Sequence, residues 1–350
     1  MTSPGKHRLE KIPVKGLQQE SMVLVGEKLG RLPDYLPRKK TFVLTDKNIQ
    51  RLYGAAWEGL PVFVLEPGEQ SKTLETAGLA YRWLMDNGAD RSSFITGIGG
   101  GMVCDLAGFV ASTFLRGLDF GFVATSLLAQ VDASVGGKNG VNLDGYKNII
   151  GTFNQPRFVI CDTRLLKTLP DQEIKNGMAE VVKHALIDDK SMFERLEQDP
   201  LAVFGKDQAL LHYLISRSVH IKSGIVGRDE REAGERRKLN LGHTWGHAIE
   251  KTTKIPHGFA VSAGLAFSGK LSVHKGLMNP GDYERLLRLL TKLGLPVSPP
   301  VSPEEVFDAL MRDKKREGDT IHFVLNRGIG KVVVESLPVE EIRAFALNGR

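Results

Sequence analysis

Apolar and polar positions follow two different patterns along the chain, and the change falls near residue 170. Before it, short apolar and β-branched runs are separated by turn residues and by segments with helical spacing. Strands that alternate with helices of about 10–15 residues indicate an α/β domain with a mainly parallel, doubly wound sheet. The predicted strands are 41–44, 62–65, 93–98, 120–124 and 158–160, and the predicted helices are 74–85 and 105–114.

Helical periodicity dominates after Pro170. A run at 296–303 with four prolines is a connector, and a hairpin is predicted at 321–325 and 331–335 around the turn 326–330. We therefore predict two domains, an α/β domain at 1–170 and a mostly α-helical domain at 171–350. The predicted helices of the second domain are 173–186, 192–196, 208–226, 243–252, 261–274, 283–293 and 304–312.

Length and composition agree with two globular domains. The chain has 350 residues, and domains average about 150 residues. The 47 basic and 41 acidic residues give a net charge of +6, which is too weak and too scattered to indicate nucleic-acid binding. The same balance suits an enzyme for a small anion.

The sequence predicts a cytoplasmic protein. The first twenty residues lack the apolar segment of a secretory signal, and no window offers the roughly 20 uncharged apolar residues of a membrane span. Cys104 and Cys161 lie far apart and in no CxxC pair, so we expect reduced, buried thiols.

The segment TGIGGG at 96–101 follows a predicted strand and precedes a predicted helix. Glycines at such a turn let backbone amides approach a pyrophosphate. However, Met102 stands where the dinucleotide fingerprint GxGxxG has its last glycine. A pyrophosphate site and a tight strand-to-helix turn are both compatible with this motif.

A second glycine-rich segment runs from Asp132 to Asn148 and contains Lys138 and Lys147. It is not a phosphate-binding loop of a nucleoside triphosphatase, because Asp132 replaces its first glycine and Asn139 replaces its Ser or Thr. We predict an anion-binding loop in which the two lysines contact phosphate or carboxylate.

Several residues of the second half are potential metal ligands. Glu180 and Lys183 share one helical face, and so do His243 and His247, while His257 opens a further helical segment. One carboxylate and two imidazoles with an open position are the ligand set of a catalytic zinc ion. The spacing does not decide which two histidines take part.

Taken together, these motifs resemble the 3-dehydroquinate synthases of the shikimate pathway, which belong to the sugar phosphate cyclases. The matching blocks occur in order over most of the chain. They are PGEQSK at 67–72, GGG at 99–101, DLAGF at 105–109, FLRG at 114–117, LLAQVDASVGGK at 127–138, KN at 147–148, GMAEVVK at 177–183, DERE at 229–232, LNLGH at 239–243, HG at 257–258 and DKK at 313–315.

The resemblance implies a Rossmann-like N-terminal domain and a helical C-terminal domain in a homodimer. It implies a Zn²⁺ ion, or Co²⁺, bound by Glu180, His243 and His257. It also implies that NAD contacts Asp46, Glu69, Lys72, Gly100, Gly101, Asp105, Thr125, Leu128, Lys147, Asn148 and Thr168.

The resemblance also implies a phosphorylated sugar acid as substrate, with Arg116 reaching it from the neighbouring subunit. Lys138, Lys183, Glu232 and His247 are the implied catalytic residues. The implied substrate contacts are Arg116, Asp132, Lys138, Lys147, Lys183, Lys222, Arg236, Asn240, His247, Lys314 and Lys315.

The implied reaction converts 3-deoxy-D-arabino-heptulosonate 7-phosphate to 3-dehydroquinate and phosphate. It proceeds by transient oxidation with NAD, phosphate elimination, re-reduction, ring opening and intramolecular aldol closure. The alternatives are another sugar phosphate cyclase, of the 2-epi-5-epi-valiolone or 2-deoxy-scyllo-inosose type, a metal-dependent polyol dehydrogenase, and a non-catalytic dinucleotide-binding module. One departure from the family is Phe259, where a glutamate is usual and could contact a metal ligand.

Overall fold

The computed structural model describes residues 9–17, 19–312 and 319–348. The chain divides into two compact units, of which the first comprises 1–169 and 208–231 and the second 170–207 and 232–350. Each unit is described by itself.

Nine strands lie in the first unit and two in the second, counted over the described residues. They are β1 (Glu10–Val14), β2 (Ser21–Val25), β3 (Thr41–Asp46), β4 (Val62–Leu65), β5 (Phe94–Gly99), β6 (Asp119–Ala124), β7 (Lys138–Leu143), β8 (Tyr146–Phe153), β9 (Phe158–Cys161), β10 (Thr320–Asn326) and β11 (Val332–Pro338).

The α-helices of the described residues are numbered in chain order. They are α1 (Lys47–Tyr53), α2 (Leu74–Asp86), α3 (Gly101–Thr113), α4 (Asp171–Asp188), α5 (Lys190–Gln198), α6 (Gln208–Arg228), α7 (His243–Thr253), α8 (His257–His274), α9 (Pro280–Lys292), α10 (Pro303–Met311) and α11 (Val339–Asn348). Short 3₁₀ turns connect several of them.

The first unit is built on a seven-stranded sheet in the order β1-β2-β9-β6-β5-β3-β4. All its strand pairs are parallel except β1 with β2, which confirms the predicted parallel sheet. Every residue of β3 and β5 is buried, as expected for central parallel strands covered on both faces. The fold is therefore Rossmann-like.

The order of the strands reverses between β3 and β5. From β3 the chain moves outward to β4 and then returns to the other side as β5. Doubly wound sheets bind ligands at the carboxyl ends of the strands on either side of such a reversal. In this unit those ends are at Asp46 and Gly99.

The predicted loop at 132–148 is in part a β-hairpin, which corrects that prediction. Strands β7 and β8 pair in antiparallel fashion, with an irregularity in register between Val141 and Leu143. Asp144 and Gly145 both have positive φ, at 49° and 79°, which two-residue turns of type I′ require. The Asp-Gly pair in the sequence was the signal for this turn.

The second unit is mostly helical, as predicted, and carries the predicted terminal hairpin as β10 and β11. Trp245 and Phe267 stack with ring centroids 4.0 Å apart in its apolar core. Helix α4 is buried over nearly all of its second half, so Glu180 and Lys183 lie in the interior. Helix α8 begins at His257, four residues earlier than predicted.

Helix α6 belongs to the first unit, where it packs against β1 and β2. The predicted domains placed it in the second, because helical periodicity does not identify the surface against which a helix packs. The division into domains at 170 stays a prediction, and the compact units differ from it by this segment.

None of the helices in the described ranges combines the length and apolar character that a membrane span requires.

Candidate active site

In the first unit, several residues of the implied NAD site lie at the carboxyl ends of the central strands. Asp46 ends β3 and its Oδ1 accepts hydrogen bonds from the backbone amides of Asn48 and Ile49 at the start of α1. Gly100 and Gly101 follow β5, and Thr125 follows β6. These positions coincide with the edge at which doubly wound sheets bind ligands.

The glycines at 99–101, between the end of β5 and the start of α3, have two different roles. A Cβ at Gly99 would lie 2.5 Å from Cβ of Val103, so packing of β5 against α3 excludes a side chain there. A Cβ at Gly100 would meet nothing closer than 3.4 Å, so internal packing does not require this glycine. Among the residues that the structure describes, no side chain caps the amides at the start of α3. The site therefore fits an anion at the helix N-terminus, such as a pyrophosphate.

A charged cluster beside this edge contains Lys72, Glu69 and Asp105. The Lys72 ammonium lies 3.0 Å from Oδ2 of Asp105 and 2.9 Å from Oε1 of Glu69. Burial opposes the charge on Lys72, but the two carboxylates outweigh it and raise its pKa. Burial raises the pKa of Asp105 despite the nearby ammonium.

The other implied NAD residues are spread along the first unit. Thr168 is exposed, and its Oγ1 shares a hydrogen bond of 2.6 Å with the Tyr53 hydroxyl. Leu128 is half-buried, and Lys147 and Asn148 lie on the exposed strand β8. Asn148 has a positive φ of 50°.

Two implied substrate residues of the first unit are in contact. The Lys222 ammonium donates to the backbone carbonyl of Asp132 at 2.8 Å and to its carboxylate at 2.6 Å. Asp132 lies in a π-helical turn at Ala129–Ala133, a local geometry frequent at functional sites. Lys138, Lys147 and Arg116 are exposed, and Arg116 has a positive φ of 71°.

In the second unit, Glu180, His243 and His257 place their ligand atoms within 4.8 Å of one another. Oε1 of Glu180 lies 3.3 Å from Nε2 of His257 and 3.4 Å from Nε2 of His243. Two ligand atoms of a tetrahedral zinc ion with bonds of about 2.0–2.1 Å are about 3.4 Å apart. A second grouping, His247, Glu250 and His257, meets the same 4.8 Å limit.

The other ring nitrogen of each of these two histidines has an acceptor beside it. Nδ1 of His243 lies 3.1 Å from the carbonyl of Leu241, and Nδ1 of His257 lies 3.3 Å from Oε2 of Glu250. Such acceptors hold a proton on Nδ1 and direct the Nε2 lone pair toward a metal. The sequence interpretation missed Glu250, because its partner His257 lies on a different helix.

The electrostatics of this cluster favour a cation. Burial and the neighbouring Lys183 ammonium lower the pKa of His243 to about 3. Burial also opposes a charge on His257, but hydrogen bonds with Glu180 and Glu250 outweigh it and raise its pKa to about 10. The Glu180 and Glu250 carboxylates therefore attract a positive charge to this cluster. The His243 imidazole stays neutral there and can act as a metal ligand.

Most of the remaining implied residues of the second unit are close to this cluster in sequence. Lys183 forms a buried ion pair with Oε2 of Glu180. Asn240 donates a hydrogen bond to Glu232, whose φ is +62°. Arg236 is buried, and the His243 and His247 ring centroids are 5.2 Å apart. Lys314 and Lys315 lie outside the described residues.

Comparison with solved structures defines the class to which this fold belongs. The chain is similar to a 2-deoxy-scyllo-inosose synthase solved with carbaglucose-6-phosphate, NAD⁺ and Co²⁺ (TM-score 0.85, 28% identity, 96% of this chain and 99% of that one). It is similar to a 2-epi-5-epi-valiolone synthase from Streptomyces hygroscopicus with bound NAD⁺ and Zn²⁺ (TM-score 0.86, 26% identity, 95% and 96%). The fold is that of the sugar phosphate cyclases.

Sequence comparison narrows this class. The models of the N-terminal and C-terminal parts of 3-dehydroquinate synthase match residues 62–176 and 177–316. The 3-dehydroquinate synthase of Halorhodospira halophila is 43% identical over 87% of this chain and 88% of its own. That of Idiomarina loihiensis is 42% identical over 90% and 92%. The chain belongs to the 3-dehydroquinate synthase family.

Proposed function

We propose that this protein converts 3-deoxy-D-arabino-heptulosonate 7-phosphate to 3-dehydroquinate and phosphate. The observation that carries the proposal is the Glu180–His243–His257 group in a chain more than 40% identical to several 3-dehydroquinate synthases. A bare dinucleotide-binding module would not need an open metal site.

NAD and a Zn²⁺ or Co²⁺ ion are the proposed cofactors, as in the two solved cyclases. When bound, NAD takes and returns a hydride while the metal polarises the substrate oxygen. Glu180, His243 and His257 would hold the metal. The two histidines each have a hydrogen-bond acceptor beside Nδ1, which leaves Nε2 for the metal. Glu250 would orient His257, in a role that Phe259 cannot fill.

His247 would move protons to and from the substrate, because its ring lies beside His243 and it is not part of the proposed Glu180–His243–His257 ligand set. Glu232 is a second acid/base residue in this proposal, held by Asn240. Lys183 would bind substrate oxygen while its charge balances that of Glu180.

The substrate carries a phosphate and a carboxylate, and both need cations. We assign this binding to Lys138, Lys147, Lys222 and Arg236, with Lys314 or Lys315 from the segment outside the described residues. Lysines act on a phosphate as point charges, whereas an arginine can bind it through two parallel hydrogen bonds.

A homodimer is part of the proposal, with Arg116 reaching the substrate of the neighbouring subunit. Strand β8 supports it, because Tyr146, Ile149 and Phe153 are 44–47% exposed on a strand that is open to solvent along most of its length. Exposed apolar strands are commonly covered by a partner. A cytoplasmic location is supported by two buried, unpaired cysteines.

The purified protein with NAD and zinc should release phosphate from 3-deoxy-D-arabino-heptulosonate 7-phosphate with no net NADH. Net accumulation of NADH would indicate a polyol dehydrogenase instead. Turnover of sedoheptulose 7-phosphate alone would indicate a valiolone-type cyclase. Either outcome would overturn the proposal.

A further inference from the structure

Asn142 is a half-buried asparagine of β7 that none of the motifs marks as a site residue. It stands where the register of the β7–β8 hairpin shifts, between Val141 and Leu143. Such an irregularity redirects a side chain away from the regular alternation of a strand. At Asn142 it coincides with a side chain whose two ends bind different parts of the first unit.

One end of the Asn142 amide binds the charged cluster. Its Nδ2 donates to Oε1 of Glu69 at 2.9 Å, the same oxygen that lies 2.9 Å from the Lys72 ammonium. The backbone amide of Asn142 also donates to the carbonyl of Lys72 at 2.8 Å, and Asn142 forms a parallel bridge with Thr73. The hairpin is thereby fixed to the segment that carries Glu69 and Lys72.

The other end binds the returning strand. Oδ1 of Asn142 accepts a hydrogen bond from the backbone amide of Asn148 at 2.9 Å. Asn148 has a positive φ, which non-glycine residues rarely adopt. A carboxylate only accepts and a backbone amide only donates, so one orientation of the amide group satisfies both contacts. Neither aspartate nor leucine, which have nearly the same size, could make both.

We infer that Asn142 is a positioning residue that holds Lys147 and Asn148 in register with the Glu69–Lys72–Asp105 cluster, so that both parts contact NAD together. The inference rests on the proposed function. It predicts that Asn142 sets the affinity for NAD without touching the substrate. A preformed site loses less free energy on binding than one that must be ordered.

The test measures NAD binding to the full-length chain by calorimetry, for the wild type and for Asn142→Ala and Asn142→Asp. Both variants should weaken NAD binding about tenfold, the usual effect of losing a hydrogen bond to a charged group. In the phosphate-release assay the KM for NAD should rise while kcat at saturating NAD stays within about twofold.

Amide hydrogen exchange separates the two contacts. Exchange at the Asn148 amide should become faster in Asn142→Ala, which lacks an acceptor. It should stay slow in Asn142→Asp, whose carboxylate still accepts that amide but repels Glu69. Unchanged exchange at Asn148 in Asn142→Ala would contradict the inference.

Asn154→Ala is the matched control. Asn154 follows β8, is also half-buried, and uses both ends of its amide, with Ser112 and Gln19, but it does not contact the charged cluster. It should bind NAD within about twofold of the wild type. Equal weakening by Asn154→Ala would show that any loosening of the hairpin suffices and would overturn the inference.

The inference fails alone if the wild type binds NAD and the Asn142 variants bind it equally well. If the wild type binds no NAD, the proposed function fails, and the inference with it.

Discussion

The Glu69–Lys72–Asp105 cluster of the first unit and the Glu180–Lys183–Glu250 cluster of the second, with its histidines, differ in the groups that face their carboxylates. In the first unit, two carboxylates face one ammonium, and an asparagine amide binds one of those carboxylates. In the second unit, two carboxylates and one ammonium are joined by imidazoles whose Nε2 atoms face a carboxylate at 3.3–3.4 Å.

This difference has a physical consequence. Ammonium and amide donors satisfy carboxylates by themselves, so the first cluster stabilises the fold without a ligand. An imidazole nitrogen facing a carboxylate oxygen needs a proton or a metal ion between them. We therefore expect mutations in the first cluster to change stability and mutations in the second to change metal binding.

We expect the largest effect from the histidine substitutions that test which side chains hold the metal. His257 belongs to both of the groupings that lie wholly in the second unit, so His243→Ala and His247→Ala are the variants that distinguish these two. His243→Ala should lose zinc and all activity, measured by metal analysis after dialysis. Retention of zinc in His243→Ala together with its loss in His247→Ala would assign the metal to the other grouping.

His247→Ala should keep zinc and still lose activity. Removing a general acid or base commonly slows a reaction by about 10²–10⁴-fold. The measurement is kcat for phosphate release at saturating substrate, with zinc content determined on the same sample. Activity close to that of the wild type would remove His247 from the proposed acid/base role.

Lys72→Met tests the first cluster through stability. Its side chain is 5% exposed, and its loss removes the ammonium that contacts both the Asp105 and the Glu69 carboxylate. Breaking a buried pair costs about 3–5 kcal/mol, to be measured by urea unfolding. Lys47→Met, which removes an exposed pair with Glu66, is the control and should change little.

Glu250→Gln should give the smallest of these effects. The glutamine can still contact His257 but no longer attracts its Nδ1 proton as a carboxylate does. Loss of such an orienting carboxylate lowers metal affinity by about 10–100-fold, measured by competition with a chelator. In the metal-free protein the same change removes one of the two carboxylates that stabilise protonated His257, so urea unfolding should show a loss of stability. This loss should be smaller than that of Lys72→Met, because His257 keeps its contact with Glu180.

Much of the fold could be predicted because its signals are local. The apolar runs that became β3, β4, β5, β6 and β9, the helices after Pro170 and the terminal hairpin all show in residue periodicity. The β7–β8 hairpin was interpreted as a loop because its glycines and polar residues obscured the alternation. The association of α6 with the first unit depends on which surfaces meet, which periodicity does not encode.

The sequence by itself determined the family, the candidate ligands and the order of the motifs, because residue identity and spacing are properties of the chain. Only the tertiary structure decided that Glu250 faces His257 and that Asn142 joins Glu69 to Asn148. Each of these contacts depends on the direction of side chains from separate elements. That direction follows from the packing of helices and from a shift in strand register, and spacing along the chain does not record either.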